Sequence, residues 1–160
     1  MGKKQINKTN AMRQLDSAGI EYKFAEYEYD ESDLGGEHVA AELGLSEDVV
    51  FKTLATRGDN NILSVFVIPV SCNLDLKKAA VASGNKKVEM IHVKEILDLT
   101  GYIRGGCSPI GMKKQYPTYI DETAVLFDEI YFSAGKRGMQ IILNPEKLAE
   151  FIDAKFCDLT

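Results

Sequence analysis

Residues Val49 to Val70 read VVFKTLATRGDNNILSVFVIPV: two apolar segments separated by the polar tetrapeptide GDNN at positions 58–61. Glycine, aspartate and asparagine between two apolar segments are typical of the turn of a β-hairpin. The stretch therefore predicts paired strands over Val50 to Thr56 and Ile62 to Val70. The second strand is the longest apolar run in the chain and is far shorter than the roughly 20 residues that cross a bilayer. We expect it to be a buried strand, and we expect no association with a membrane.

Short helices and further strands surround this hairpin. Apolar residues at helical spacing, bounded by capping residues or glycine, predict the helices, and short apolar or alternating segments predict the strands. The predicted helices cover 11–18, 37–43, 74–83, 93–99 and 145–152, with a further short helix beginning at Ser46, and the other predicted strands cover 20–29, 88–90, 118–120, 130–134 and 139–143. Helices do not alternate regularly with strands, and no GxGxxG or P-loop motif follows a strand. We therefore predict an α+β fold with a largely antiparallel or mixed sheet rather than a Rossmann fold.

The composition is that of a folded globular protein. The chain has 160 residues, of which 45% are hydrophobic and 27% are charged, and its formal net charge is −5. This length fits one domain, so we predict a single domain over 1–160. The acidic balance disfavours a protein whose whole surface binds nucleic acid, although pairs of basic residues leave room for a local basic patch. The basic N-terminus lacks the apolar segment of a secretory signal, and we expect a cytoplasmic protein.

Several kinds of chemical site are not favoured by the sequence. The three cysteines are widely spaced, which argues against a disulfide framework and against a cysteine-rich zinc site. Neither His38 nor His92 has a partner at metal-ligand spacing, so we predict no metal and no cofactor. No serine lies in a hydrolase signature such as GxSxG. Cys107 is a candidate nucleophile, because a helix N-terminus and nearby lysines would lower the pKa of its thiol, but the sequence offers it no clear histidine partner.

Two glycine-rich turns and one lysine suggest a ligand site. Lys52 lies at the apolar start of the first hairpin strand, where its side chain either points outward or extends into a cavity. The segment RGGCSPIGMKK begins at Arg104, and its glycines permit positive φ and close approach to a ligand, while its free N–H groups could bind an anion or oxyanion. The segment SAGKRG, from Ser133 to Gly138, is a second basic turn. Either turn alone is more often purely structural, but together with Lys52 they predict a site for a polar, anionic ligand.

Seven segments of the sequence closely resemble the YbaK/EbsC family of Cys-tRNA(Pro) deacylases, which are related to the editing domain of bacterial prolyl-tRNA synthetase. In chain order the segments are KTNAMRQLD, VFKTL, LDLKKAA, KKVEM, LTGYIRGGCSPIGMKK, PTYID and SAGKRGMQI, and they extend from Lys8 to Ile141. The resemblance implies an α+β fold around a mixed, mainly antiparallel, barrel-like sheet. It also implies trans-editing, in which the enzyme frees tRNA(Pro) that has been mischarged with cysteine.

The resemblance further implies roles for individual residues. The lysine that the family requires corresponds to Lys52, and the first glycine of its GxxxP loop corresponds to Gly105, so both are expected to be catalytic. The residues expected to bind substrate are Tyr27, Gly106, Cys107, Ser108, Pro109, Ser133 and Gln140. Some relatives have aspartate at the position of Gln140. Because glutamine cannot exchange a proton as aspartate does, an acid or base role at this position is in doubt for this chain.

In the mechanism that the resemblance implies, the substrate supplies its own nucleophile. The cysteinyl thiol attacks its own ester carbonyl and releases tRNA and a cyclic thiolactone, so Cys107 is not assigned as the nucleophile. A local basic rim would hold the acceptor end of mischarged tRNA(Pro), with a prolyl-tRNA synthetase as a further partner in a ternary complex. The candidates for this rim are Lys8, Lys113, Lys114, Lys136 and Arg137. Two alternatives stay open: a deacylase for another mischarged tRNA such as Ala-tRNA(Pro), and a noncatalytic module that binds aminoacyl-tRNA or a synthetase.

Overall fold

The computed structural model describes residues 7–160, so the first six residues of the predicted domain lie outside the described part of the chain. In this range the strands are β1 (Lys23–Glu26), β2 (Phe51–Gly58), β3 (Leu63–Pro69), β4 (Val88–Met90), β5 (Thr118–Asp121), β6 (Ile130–Ser133), β7 (Met139–Leu143) and β8 (Lys155–Cys157). The α-helices are α1 (Asn10–Ser17), α2 (Gly36–Leu43), α3 (Leu76–Ser83), α4 (Ile96–Thr100) and α5 (Pro145–Ile152), and Val93–Glu95 and Glu122–Leu126 are short 3₁₀ helices. Over residues 7–160, no helix has both the length and the apolar character that crossing a bilayer requires.

The predicted hairpin lies at the centre of the larger sheet. β2 and β3 pair antiparallel, β4 pairs antiparallel with the other edge of β2, and β5 and β8 extend the sheet from β3 as parallel strands. The resulting order is β4-β2-β3-β5-β8. A second, antiparallel sheet has the order β1-β7-β6. The predicted α+β class with a mixed, mainly antiparallel sheet is confirmed.

Three local predictions differ from the structure. The strand predicted over 20–29 covers only Lys23–Glu26. The segment that follows Ser46 is a single turn and not a helix: the Val49 amide donates to the Ser46 carbonyl (3.3 Å), and the chain enters the sheet at the next residue. Strand β8 was missed by the sequence pattern. It is three residues long, and its parallel pairing with β5 holds it in place, so no local signal marks it.

One parallel bridge joins the two sheets. The Tyr131 amide of β6 donates a hydrogen bond to the Val49 carbonyl (3.0 Å), beside a bridge between Val50 and Tyr131. The main hydrophobic core packs between the sheets and against α1 and α5. Its largest fully buried members are Met12, Leu15, Ile110, Ile120, Ile130, Phe132, Ile141 and Leu148.

The register of the strands at this bridge gathers polar residues that are distant in the chain. Val50 and Tyr131 both pack on the side of the junction that faces α2. Side chains alternate along a strand, so Lys52 is on the same side as Val50, and Ser133 is on the same side as Tyr131. Ser133 pairs with Gln140 of β7 and shares its side. Lys52, Ser133 and Gln140 are thus brought to one side of the bridge.

A buried carboxylate attaches the end of the chain to the larger sheet. Asp121, at the end of β5, is 1% exposed. One of its oxygens accepts a hydrogen bond from the Leu159 amide (3.0 Å), and the other accepts from the amide (3.3 Å) and the hydroxyl (2.5 Å) of Thr123. The same side chain therefore caps the 3₁₀ helix that follows β5 and holds the segment after β8.

We expect Asp121→Ala to lower the free energy of unfolding by about 3 kcal/mol, because buried hydrogen bonds to a charged acceptor are lost and the Leu159 amide is left without a partner. Urea unfolding followed by circular dichroism measures this change. The matched variant is Asp128→Ala, at an exposed aspartate, for which a change within about 0.5 kcal/mol is expected. Equal effects of the two substitutions would show that Asp121 does not have this role.

Candidate active site

A cleft of about 470 Å³ opens between α2, β2, the 3₁₀ segment after β4 and the loop that follows α4. This volume is in the usual range of small-molecule sites. Five of the residues predicted to form the site line it: Lys52, Gly105, Cys107, Ser133 and Gln140. The structure therefore brings both expected catalytic residues and three of the expected substrate-binding residues to one cavity.

Lys52 supplies a cation to the cleft. Its side chain is half-buried, and in the described part of the chain it forms no ion pair with a carboxylate. Glu37, at the start of α2, is the acidic residue that lines the same cavity, and it is exposed. A lysine that carries no protein partner in a partly desolvated cleft is available to bind an anion or a polarised carbonyl.

Gln140 supplies an unused hydrogen-bond acceptor. The residue is 4% exposed, and its side-chain oxygen has no hydrogen-bond partner among residues 7–160. Leaving such a group unpaired costs about 1–3 kcal/mol, which a ligand that donates a hydrogen bond would recover. The opposite residue, Ser133, is also buried, and its hydroxyl accepts from the Gly135 amide (3.2 Å). Among residues 7–160 this hydroxyl donates to no acceptor, so its proton can be donated to a ligand in the cleft.

The first glycine-rich turn presents free backbone donors. Gly105 has φ of +84°, a conformation that favours glycine. The amide of Gly106 donates to the Ile103 carbonyl (2.9 Å), whereas the amides of Gly105, Cys107 and Ser108 donate to no acceptor within residues 7–160. Free amides in one tight loop can stabilise an anion or an oxyanion. Of these three residues, Gly105 and Cys107 line the cleft.

The two glycine-rich turns support each other through close contact. A Cβ atom on Gly106 would lie 3.2 Å from Cα of Lys136, so the backbones meet where there is little room for a side chain. The Arg137 Nε donates to the Arg104 carbonyl (2.9 Å) across the same contact. The side chain of Arg137, proposed for the tRNA rim, therefore also holds the two turns together.

Tyr102 underlies both turns. Its ring is 8% exposed, and its hydroxyl donates to the Ile110 carbonyl (2.5 Å). A Cβ on Gly135 would lie 2.8 Å from the ring, and a Cβ on Gly111 would lie 2.7 Å from the hydroxyl oxygen. The glycines on either side of Tyr102 are thus required by space as well as by backbone conformation.

Cys107 does not have the surroundings of an activated nucleophile. Burial raises the pKa of its thiol, which donates a weak hydrogen bond to the Ile103 carbonyl (3.8 Å). No helix follows Cys107, because residues 101–117 form turns and irregular loop. The helix terminus that was considered as a cause of a lowered pKa is absent from this part of the fold, and the thiol is favoured in its protonated form.

Four of the expected substrate-binding residues lie outside the lining of the cleft. Gly106, Ser108 and Pro109 belong to the first glycine-rich turn and are buried. The Ser108 hydroxyl accepts a hydrogen bond from the Ile110 amide (3.3 Å). Tyr27 is half-buried against the cluster beneath α2, and its amide donates to the Gly138 carbonyl (2.9 Å). These residues support the cleft from behind.

The predicted basic rim is only partly free. Lys8 forms an ion pair with Asp16 on α1 (2.6 Å). Lys113, Lys114 and Lys136 are exposed, and none of them lines the cleft. The cation that the structure adds is Arg104, which is exposed and lines the cleft.

Sequence reasoning missed further residues of the cleft. Arg104 begins the first glycine-rich segment, and its position beside the glycines was the available signal. The Thr53 hydroxyl is buried without a partner in the described residues, yet nothing in the strand pattern distinguishes it from its neighbours. One wall of the cleft is apolar and is formed by Met90, Ile91, Val93 and Ile96.

Other parts of the molecule offer less to a reaction. Across residues 7–160, no three histidine, cysteine, aspartate or glutamate side chains are grouped so that they could hold a metal ion. The Nδ1 atom of His38 lies 3.5 Å from a carboxylate oxygen of Asp33 at the surface. A second cavity of about 550 Å³ lies between the α1–β1 turn and α5, but neither glycine-rich turn lines it.

Comparison with known proteins identifies a family and a fold. The model of the aminoacyl-tRNA editing domain matches residues 35–151. EbsC of Enterococcus faecalis, provisionally named a Cys-tRNA(Pro)/Cys-tRNA(Cys) deacylase, is 51% identical over 158 residues, which cover 99% of this chain and 96% of EbsC.

Solved structures support the same conclusion on the fold. A protein provisionally described as a trans-editing enzyme for prolyl-tRNA synthetase has a TM-score of 0.82 at 23% identity, over 96% of this chain and 99% of that one. A hypothetical protein has a TM-score of 0.84 at 22% identity, over 92% of this chain and 96% of that one. At these identities the two likenesses establish the fold alone.

We expect the phenol of Tyr102 to make the protein sensitive to alkaline pH. Burial is the main cause that raises the pKa of Tyr102 to about 12, from an ordinary value of 10.0. The contribution of the protonated Tyr102 phenol to the free energy of unfolding is complete below pH 10 and is lost as the pH rises toward 12. Over this range the unfolded chain releases a proton that the folded protein retains. Tyr102→Phe removes this dependence.

Urea unfolding of the wild type and of Tyr102→Phe between pH 8 and pH 12 tests the expectation. At pH 8 the variant is less stable by about 1 kcal/mol, since it lacks the hydrogen bond to Ile110. This difference shrinks as the pH rises above 10. Tyr29→Phe, at an exposed tyrosine, is the control and keeps a constant difference from the wild type. Parallel pH profiles for wild type and Tyr102→Phe would contradict the assignment.

Proposed function

The chain belongs to the family of aminoacyl-tRNA editing domains, and we propose that it acts in trans as a deacylase that removes cysteine from mischarged Cys-tRNA(Pro). The family match covers most of the chain, and EbsC, whose provisional name is that of such a deacylase, matches it nearly end to end. The observation that carries the proposal is the cleft, where a lysine without an ion-pair partner lies with a loop of free amides. We treat residues 1–160 as one editing domain that works in the cytoplasm.

The free amides of the loop suit the ester carbonyl of an aminoacyl-tRNA. When a nucleophile adds to this carbonyl, negative charge develops on the carbonyl oxygen. One amide that donates a hydrogen bond to this oxygen stabilises the transition state by about 3 kcal/mol. Gly105 is the residue whose conformation shapes this loop. Lys52 acts by its charge on the ester or on the terminal phosphate, and it has no role as a base in this scheme.

The nucleophile in this scheme is the thiol of the substrate. No histidine lines the cleft within the described residues, and the pKa of the Cys107 thiol is raised by burial. The cysteinyl sulfur forms a bond to its own carbonyl carbon, the bond from that carbon to the ribose oxygen breaks, and the thiol proton ends on the ribose hydroxyl. The products are free tRNA and a four-membered thiolactone, which water later opens to cysteine.

The partner in this scheme is the acceptor end of tRNA(Pro). Arg104 at the cleft and the exposed Lys113, Lys114 and Lys136 form the part of the basic rim that is free to bind phosphate. Such a limited rim binds weakly, since each phosphate contact adds little and is screened by salt. A prolyl-tRNA synthetase that holds the same tRNA would supply the remaining affinity and the choice of tRNA.

We expect the protein to release cysteine from Cys-tRNA(Pro) and to leave Pro-tRNA(Pro) intact, as measured by the loss of radiolabelled aminoacyl-tRNA. Lys52→Met keeps the apolar stem of the side chain and removes its charge, and it should lower kcat/KM by about 100-fold. Lys155→Met, at an exposed lysine three strands away in the same sheet, is the control and should retain full activity. Preference for Ala-tRNA(Pro) would redirect the proposal to that substrate, and release from none of these tRNAs would exclude an enzyme.

The source of the nucleophile is tested with tRNA(Pro) charged with S-methylcysteine. This residue keeps the ester and nearly the same size but has no thiol that can attack the carbonyl. We expect the enzyme to leave it intact, while Cys107→Ala continues to release cysteine from Cys-tRNA(Pro). Rapid hydrolysis of the methylated substrate, or loss of activity in Cys107→Ala with an unchanged fold, would show that the protein or water provides the nucleophile.

A further inference from the structure

One wall of the cleft is an apolar ledge formed by Met90, Val93 and Ile96. Met90 is 45% exposed and Val93 is 59% exposed, while Ile96 is half-buried, and all three line the cavity that holds Lys52 and Gly105. Exposed apolar side chains that are contiguous with a polar cleft are a typical sign of a binding surface. The mechanism described above leaves this ledge without a role.

The ledge is held rigidly. Arg57 of β2 donates two hydrogen bonds to Glu95, one from Nη2 (2.6 Å) and one from Nη1 (3.3 Å). Glu95 also accepts from the His92 amide (3.3 Å), and the Ile91 amide donates to the Ala55 carbonyl (3.2 Å). Hydrogen bonds thus hold the 3₁₀ segment to β2 on both sides of Val93. The exposed side chains of Met90 and Val93 therefore form an apolar surface with a fixed position.

The position of the ledge indicates which part of an ester substrate it contacts, namely the alcohol group. Ile96 begins α4, and the chain then reaches Gly105 after the turn that follows this helix. The ledge and the loop of free amides are therefore two walls of one cavity. An ester whose carbonyl lies against the loop has a small aminoacyl part and a much larger alcohol part, and only the larger part can cover several apolar side chains. The cations Lys52 and Arg104 line the same cleft for an attached phosphate. In an aminoacyl-tRNA this alcohol group is the terminal adenosine.

We propose that the ledge of Met90, Val93 and Ile96 binds the adenine ring of the 3′-terminal nucleoside. The inference rests on the proposed deacylase function and identifies the subsite that holds the leaving group. A purine presents a flat apolar face, and contact with it removes the exposed methyl and thioether groups from water. Methionine adapts to such a face, and the rigid valine and isoleucine fix its distance from the loop.

The first experiment compares two small esters, 3′-O-cysteinyladenosine and cysteine methyl ester. The wild type is expected to cleave the nucleoside ester with the higher kcat/KM. Val93→Ser should lower kcat/KM for the nucleoside ester by about tenfold, because serine loses the apolar surface that the valine methyl groups bury against the base. It should change the value for the methyl ester less than twofold. Val81→Ser is the matched control, because Val81 is 82% exposed on α3 and is not part of the cleft lining.

Equal losses for the two esters in Val93→Ser, or no preference of the wild type for the nucleoside ester, would overturn the proposal. A second measurement does not depend on turnover. Methyl signals of Met90, Val93 and Ile96 in NMR spectra are expected to shift when the protein binds 3′-cysteinylamido-3′-deoxyadenosine, which has an amide in place of the ester, and to stay unchanged with cysteine amide.

The two proposals can fail separately. If no cysteine is released from tRNA or ester but the methyl signals of the ledge shift with the adenosine amide, the deacylase function fails and the adenine subsite stands. If cysteine is released from Cys-tRNA(Pro) but these signals do not respond to saturating amide, the deacylase function stands and the subsite is wrong.

Discussion

The packing of two glycine-rich turns around one buried tyrosine is the constraint on which the cleft depends. The ring of Tyr102 occupies the space that a side chain at Gly135 would need, and its hydroxyl holds the loop through the Ile110 carbonyl. A side chain at Gly106 would likewise meet the backbone of Lys136, so the two turns pack closely against each other. The free amides of one turn and the strand residues beside the other are therefore positioned by this shared packing, together with the hydrogen bond from Arg137 to the Arg104 carbonyl.

Much of the fold could be predicted from local sequence, since hairpins and capped helices carry their own signals. The GDNN turn, and the last helix over 145–152, are examples that the structure confirms. The grouping of Lys52 with Ser133 has no local signal, because it depends on a bridge between Val50 and Tyr131 that joins distant parts of the chain. The resemblance to the family identified Lys52 and Ser133 as matches to its site positions. The strand register at the bridge explains why the two residues lie on the same side. The apolar ledge was missed because exposed valine and methionine on short elements look like core residues in a sequence.

The charge distribution reconciles an acidic protein with an anionic partner. The net charge of the chain is −5, whereas the cleft is lined by the cations Lys52 and Arg104 and by the acidic residue Glu37. Beyond the screening length of about 10 Å the net negative charge is largely screened by salt, and close to the cleft the local cations attract nucleic acid. Binding of this kind is short-ranged. It favours a partner that is delivered to the site by another protein over one that is captured from bulk solution.

The protonated state of Cys107 has a consequence for the fate of the acyl group. An ionised thiol in the wall of a cleft that binds aminoacyl esters would exchange with them, and the amino acid would be transferred to the protein as a thioester. The enzyme would then be acylated after one turnover and would depend on a second hydrolysis for its recovery. Burial of the Cys107 sulfur disfavours its ionisation. The Cys107 thiol can thus lie beside reactive esters without accepting the acyl group.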